Sequence, residues 1–224
     1  MTPQIKICGL TRADEALKCA ELGVNAIGLI FYDKSPRFLS DVQAIKICDA
    51  LPDTVKKIGV FVDKSFIHIM GKVKKCGLTG VQLHGQETPE LVDCLVRENL
   101  LVIKGLFTSK RPNILEVCRF NASAYLVECG KGKLPGGNAM VWNWSQALDF
   151  GKTNPFLLAG GLSPDNVVCA IKKSFPDAVD VSSGVEISPG RKDIRKVEDF
   201  IKAVHGVSEK YMLHKKKPRN IFCS

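Results

Sequence analysis

Short apolar runs alternate with amphipathic stretches of helical length along the whole chain. This is the pattern of parallel strands joined by crossover helices. Runs such as Ala26-Ile27-Gly28-Leu29-Ile30-Phe31 and Ile58-Gly59-Val60-Phe61-Val62 mark two of the strands. Eight strands are predicted to begin near Ile5, Ala26, Lys57, Gly80, Leu101, Ala124, Pro155 and Ala178. Helices are predicted over 12–22, 41–50, 65–75, 89–98, 113–119, 144–150, 166–174 and 193–204. Thr11-x-x-Asp14 has the form of an N-terminal cap on the first helix. A doubly wound open sheet would show the same alternation, but the GxGxxG of its usual first turn does not follow the first strand. A count of eight favours closure, so the predicted fold is α/β: a (β/α)8 TIM barrel forming a single domain over residues 1–204. The second and sixth units are the longest, with their extra residues at 32–40 and 129–143, just after the strands. In this architecture the loops after the strands build the active face, so these two should touch or cover a substrate.

A length of 224 residues fits one such barrel and leaves little room for a second domain. With 45% hydrophobic and 25% charged residues, the composition is that of an ordinary globular protein. No run approaches the roughly 20 apolar residues that span a bilayer, and the start of the chain does not read as a signal peptide. The expectation is a cytoplasmic protein without a membrane partner. Nine cysteines are scattered without CxxC pairs, which argues against a disulfide framework or a zinc site and for small buried hydrophobes. The formal charge of +9 needs dividing. Residues 205–224 carry Lys210, Lys215, Lys216, Lys217 and Arg219 against Glu209, a net +4, and read as a poorly ordered, solvated basic tail. Removal of everything after Val204 is expected to leave the barrel folded. The remaining cations are dispersed rather than interleaved with aromatics, which weakens a nucleic-acid reading. No obligate protein partner is evident.

Candidate chemistry lies at the predicted strand ends. Leu158-Ala159-Gly160-Gly161-Leu162 and Val181-Ser182-Ser183-Gly184-Val185 are glycine-bearing turns after the last two strands. There backbone N–H groups can approach a phosphate, and a short helix after the eighth strand would add its positive end. Cys8, at the end of the first strand, is either a packing residue or a thiolate base at the barrel mouth. Glu128 ends the sixth strand, on the opposite side of the ring. Asp180 interrupts an apolar strand and needs a partner, whether its role is structural or chemical. Arg37, stiffened by Pro36, could grip a carboxylate bidentately or simply be solvated. His84 could donate to a substrate or be structural, and no His or Cys stands at metal-ligand spacing from it, so no metal is expected.

Taken in order, Lys6-Ile7-Cys8-Gly9-Leu10-Thr11, Gly59-Val60-Phe61-Val62, Val81-Gln82-Leu83-His84-Gly85, Leu158-Ala159-Gly160-Gly161-Leu162 with Asn166-Val167, and Asp180-Val181-Ser182-Ser183-Gly184-Val185-Glu186 form a set. This set resembles the phosphoribosylanthranilate isomerase family of tryptophan biosynthesis, over roughly residues 4 to 204. The resemblance implies a cofactor-free (β/α)8 barrel that binds a phosphorylated small molecule, opens the ribose ring of N-(5'-phosphoribosyl)anthranilate and completes an Amadori rearrangement. It implies that Cys8 is the general base and Glu128 the general acid. Arg37 would hold the anthranilate carboxylate, and Gly160, Gly161, Ser183 and Gly184 would cradle phosphate; His84 and Asp180, read from their own positions, are the further candidate substrate contacts. This chain departs from the family pattern in having Glu128-Cys129 where aspartate and threonine are usual, and Pro135-Gly136-Gly137-Asn138-Ala139 in the loop that follows. Two alternatives stand beside this reading. One is the related histidine-pathway isomerase, which uses an aspartate where this chain has Cys8. The other is a binding protein that kept the phosphate site and lost catalysis.

Overall fold

The computed structural model describes residues 2–131, 140–207 and 218–222. Eight parallel strands close into a barrel in chain order, with the first hydrogen-bonded to the eighth. They are β1 (Gln4–Cys8), β2 (Ala26–Ile30), β3 (Lys56–Phe61), β4 (Gly80–Leu83), β5 (Leu101–Phe107), β6 (Ala124–Glu128), β7 (Phe156–Leu158) and β8 (Ala178–Val181). The helices around them are α1 (Ala13–Glu21), α2 (Asp41–Ala50), α3 (Phe66–Cys76), α4 (Pro89–Arg97), α5 (Leu148–Thr153), α6 (Val167–Ser174) and α7 (Ile194–His205). Between β5 and β6 the predicted helix is a 3-10 turn, Ile114–Arg119, that buries none of its residues. A capping box between Asn113 and Glu116 shapes it, and no apolar face holds it longer.

Local chemistry explains where most helices start. Ser40 and Gln43 form a capping box on α2, and the hydroxyls of Ser65 and Thr88 accept from the third residues of α3 and α4. Asp193 caps α7 through the amides of Arg195 and Lys196. The cap predicted from Thr11 and Asp14 does not form. The Thr11 hydroxyl donates instead to the carbonyl of Gly190, and Arg12, the residue before α1, caps it without a side-chain bond. Gly190 sits in a hairpin after β8, formed by β9 (Glu186–Ser188) and β10 (Arg191–Lys192), and this tertiary neighbour takes the hydroxyl.

Alternate strand residues face outward onto the helices. Ile7, Leu29, Val81, Val127 and Val179 pack with Cys19, Cys48 and Cys76 of α1 to α3 and with Val197, Phe200 and Val204 of α7 in one apolar cluster. The described cysteines are all free. Cys8, Cys19, Cys48, Cys76 and Cys129 are buried as expected, while Cys94, Cys118 and Cys169 are exposed.

The inward-facing residues form a second cluster that includes Ala26, Ile58, Ile103, Ala124, Leu157 and Ala178, most of them near the strand beginnings. Ile221 and Phe222 of the tail complete it, at 8% and 2% exposure. Here the structure differs from the solvated extension read from sequence. The amides of Ile221 and Phe222 both donate to Oε1 of Gln4, Gln4 Nε2 donates to Asn220, and the Arg219 amide donates to Asp177 at 2.7 Å. Small side chains at the strand starts leave a hole, and two large apolar residues from the chain end fill it. The loop departure at Asn138-Ala139 and the lysines of the tail lie outside the described residues.

Candidate active site

The strand ends opposite the tail open into a cavity of about 590 Å³, open solvent included, lined by Cys8, Tyr32, Arg37, Gln82, His84 and Glu128 among others. A second, smaller chamber adjoins it. That chamber is lined by Lys131, Met140, Gly160, Gly161 and Ser183, and it shares Glu128, Asp180 and Ser182 with the first. The two long loops picked out from sequence contribute Tyr32, Ser35 and Arg37 to one chamber and Cys129, Lys131 and Met140 to the other.

The smaller chamber is a backbone site. Gly160 and Gly161 have φ of +90° and +69°, a left-handed conformation that any other residue would adopt with strain. Among the described residues, none of the backbone hydrogen bonds of turns and loops uses the N–H of Gly160, Gly161, Ser183 or Gly184. Gly184 lies so close to the carbonyl of Leu162 that a Cβ there would overlap it, so the two turns press together. Trp142 Nε1 donates to Ala159 and Trp144 Nε1 to Gly160, which ties the loop before α5 onto the same turn. After β8 the predicted short helix is a single 3-10 turn, Ser183–Val185, followed by the hairpin.

The larger chamber is walled by buried, partnered charges. Asp180, whose strand position demanded a partner, has one in Lys6: Nζ lies 2.7 Å from Oδ1, and Lys6 is fully buried inside the barrel. Arg37 reaches over Gly9 and spends Nε and one N–H of Nη2 on Glu186, at 2.8 and 2.7 Å. The planar fork still presents its Nη1–Nη2 edge. Lys192, also buried, donates to Glu186 at 2.8 Å and to the carbonyls of Cys8 and Ser182. Burial alone would push the Glu186 carboxyl up, but Arg37 and Lys192 more than reverse this and hold it below the usual range. His84 faces Glu128, Nε2 to Oε1 3.5 Å, while Gln82 Nε2 lies 3.2 Å from its Nδ1. Behind them Lys104 donates to the carbonyls of Leu83 and Gly85, on either side of His84, and pairs with Glu87 at 2.8 Å.

All five side chains singled out from sequence therefore meet at one mouth, with the four phosphate-turn residues beside them. Sequence reasoning missed Lys6, Gln82, Lys104, Ser182, Glu186 and Lys192 as site residues. Lys6, Lys104 and Gln82 gave a readable signal, a polar residue inside an apolar strand, of the kind already noticed at Asp180. Gln82 and Ser182 line the cavity, and their Oε1 and Oγ are buried without a hydrogen-bond partner among the described residues, an unusual condition for a buried polar atom.

Residues 5–203 match the family model described as N-(5'phosphoribosyl)anthranilate (PRA) isomerase. The chain belongs to the phosphoribosylanthranilate isomerase family. It is 48% identical over 222 residues to N-(5'-phosphoribosyl)anthranilate isomerase of Desulfatibacillum aliphaticivorans, covering 99% of this chain and 100% of that one. It is also similar to the phosphoribosyl anthranilate isomerase of Thermotoga maritima, with a TM-score of 0.83 at 36% identity over 91% of this chain and 99% of that structure. A further structure at TM-score 0.80 and 36% identity, covering 91% and 99%, is a phosphoribosyl anthranilate isomerase in complex with reduced 1-(o-carboxyphenylamino)-1-deoxyribulose 5-phosphate. The barrel predicted from the alternating pattern is thus the family's fold, and the chain is a tryptophan-biosynthetic isomerase rather than its histidine-pathway relative.

Proposed function

We propose that this isomerase converts N-(5'-phosphoribosyl)anthranilate to 1-(2-carboxyphenylamino)-1-deoxyribulose 5-phosphate with Cys8 as general base and Glu128 as general acid. The observation that carries the assignment is that both side chains line one cavity, from β1 and from β6, beside a chamber lined by Gly160, Gly161 and Ser183. The phosphate of the substrate occupies that chamber, against Gly160, Gly161, Ser183 and Gly184. The anthranilate carboxylate meets the Nη1–Nη2 edge of Arg37, which Glu186 holds from the other side. Between these anchors the ribose spans the shared residues Glu128, Asp180 and Ser182.

Protonation of the ring oxygen by Glu128 breaks the bond from C1' to that oxygen and leaves a protonated Schiff base. The positive nitrogen makes the C2' proton acidic, and Cys8 removes it to give an enolamine, which tautomerises to the aminoketose. Atoms balance without a co-reactant. Glu128 is one methylene longer than the usual aspartate, and its contact with His84 fixes where the longer arm ends. Gln82 and Ser182 line the same cavity and offer polar partners for sugar hydroxyls, and Asp180 keeps its second oxygen for the same use.

The test follows the loss of substrate fluorescence. Cys8→Ser and Glu128→Gln are each expected to lower kcat by at least about a hundredfold while a product-like phosphate still binds, since general acid-base groups contribute about 10²–10⁴-fold. Glu128→Asp should retain measurable rate. Parent-like activity in either of the first two variants removes that residue from its role.

A further inference from the structure

Cys8 is 6% exposed, and burial in the barrel pushes its thiol up, above the ordinary value. A base in that position is mostly protonated near neutrality unless something answers its charge. Four charged groups face it among the described residues: Lys6 on its own strand, Asp180 on β8, Lys192 on β10 and Arg37 from the loop after β2. Glu128 and His84 lie around the same cavity. Of the three cations, two are already committed. Arg37 and Lys192 both bond Glu186, and Lys192 uses its three donors on Glu186 and the carbonyls of Cys8 and Ser182.

Lys6 differs from both. It gives one N–H to Asp180 and keeps two further N–H donors beside the Cys8 side chain. The geometry is visible from Gly28, whose position on β2 faces the same spot: a Cβ there would stand 2.6 Å from Sγ of Cys8 and 3.1 Å from Nζ of Lys6. Thiol and ammonium thus crowd one point of the barrel interior, and the absent side chain of Gly28 is what lets them do so. Burial alone would lower the Lys6 ammonium, yet Asp180 and Cys8 together hold it above its ordinary value, so it stays charged.

We propose that Lys6 is a positioning residue of the isomerase: its buried ammonium, anchored by Asp180, donates to Sγ of Cys8 and offsets part of the cost of forming the thiolate inside the barrel. This deepens the reading of Cys8 as base and rests on it. Asp180 accordingly has two duties, one oxygen on Lys6 and the other toward the cavity. Lys6 acts only through Cys8.

The experiment reads ionisation of Cys8 apart from turnover. Alkylation by iodoacetamide, quantified on the Cys8 peptide by mass spectrometry, is followed from pH 5 to 10 in the parent, in Lys6→Met and in the charge-neutral double variant Lys6→Met with Asp180→Asn. In both variants the alkylation midpoint should move up by at least about one pH unit, roughly a tenfold loss of labelling at neutral pH. The acid limb of kcat/KM for Lys6→Met should move by the same amount and recover at high pH, which a merely destabilised barrel would not do. The double variant leaves no orphaned carboxylate and serves if Lys6→Met fails to fold. Gly28→Ala, which retains both charges and forces Sγ and Nζ apart, should move the midpoint in the same direction. A parent-like alkylation profile in any folded variant overturns the role of Lys6. If instead Cys8→Ala still turns over substrate, the base assignment fails while the alkylation profiles still report on Lys6.

Discussion

The two mouths of the barrel are built from the same eight strands and solved in opposite ways. At the end where strands finish, charged and polar side chains stand among the inward residues, and nearly every charge is buried against a partner: Lys6 on Asp180, Arg37 and Lys192 on Glu186, His84 on Glu128. At the end where strands begin, the inward residues are small and apolar, and Ile221 and Phe222 from the chain end close the hole. Burying charges is costly unless each is answered, and replacement of such networks by apolar packing is often neutral or stabilising. The lower mouth takes that cheaper solution because nothing reacts there. In the proposed assignment the upper mouth keeps its charges because the reaction needs an acid, a base and two anion grips in fixed places.

Perturbing each mouth tests this contrast, and the largest effect is expected at Glu186. Glu186→Gln leaves Arg37 and Lys192 as buried cations without their shared carboxylate, which should cost about 3–5 kcal/mol of stability in urea titrations at neutral pH. KM should rise with it as Arg37 loses its brace. Because the folded carboxyl sits below its unfolded value, its stabilisation is present above about pH 4.3 and disappears as pH falls through the lower folded value. The stability gap between Glu186→Gln and the parent should therefore narrow on acidification. A gap that widens toward low pH contradicts the network as described.

The lower mouth should respond in stability alone. Removal of residues 218–224 exposes the cluster around Ala26, Ile58 and Ala178, and a cost of about 2–3 kcal/mol is expected, with Phe222→Ala accounting for most of it. The cost stays below that of an ordinary core phenylalanine because a terminal segment can undock without straining the rest. Turnover by the truncated enzyme should remain within about twofold of the parent when measured well below its melting temperature. Unchanged unfolding midpoints would mean that the plug contributes nothing, and a large fall in kcat would mean that the mouths are coupled. The smallest expected change is Thr88→Ala, which removes the cap of α4 beside the Glu87–Lys104 clasp. About 1 kcal/mol should be lost, with kcat preserved if Lys104 rather than the helix end positions His84.

Much of this was legible in the residues taken in order. The alternation of apolar runs located β2, β4, β5, β6 and β8 at their first residues, because a strand buried on both faces has few polar positions in which to hide. Ser40 caps α2 through a bond spanning only three residues, a signal of the same local kind. Asp180 declared its need for a partner, since a lone carboxylate in an apolar strand violates a simple energetic rule. The Thr11 cap was misread for the converse reason: a local motif was outbid by a carbonyl 179 residues away.

The sequence by itself determined the eightfold pattern, the strand ends that carry Cys8 and Glu128, and the glycine turns that suit a phosphate, because each depends on periodicity or on the backbone freedom of neighbouring residues. Only the tertiary structure decided which charge answers which. Lys6 and Asp180 meet across 174 residues, and Arg37 and Glu186 across 149. The docking of Phe222 depends on a hole that does not exist until the barrel has closed. Such pairings are set by barrel register and by volume left over after packing, and neither quantity is written in any local stretch of the chain.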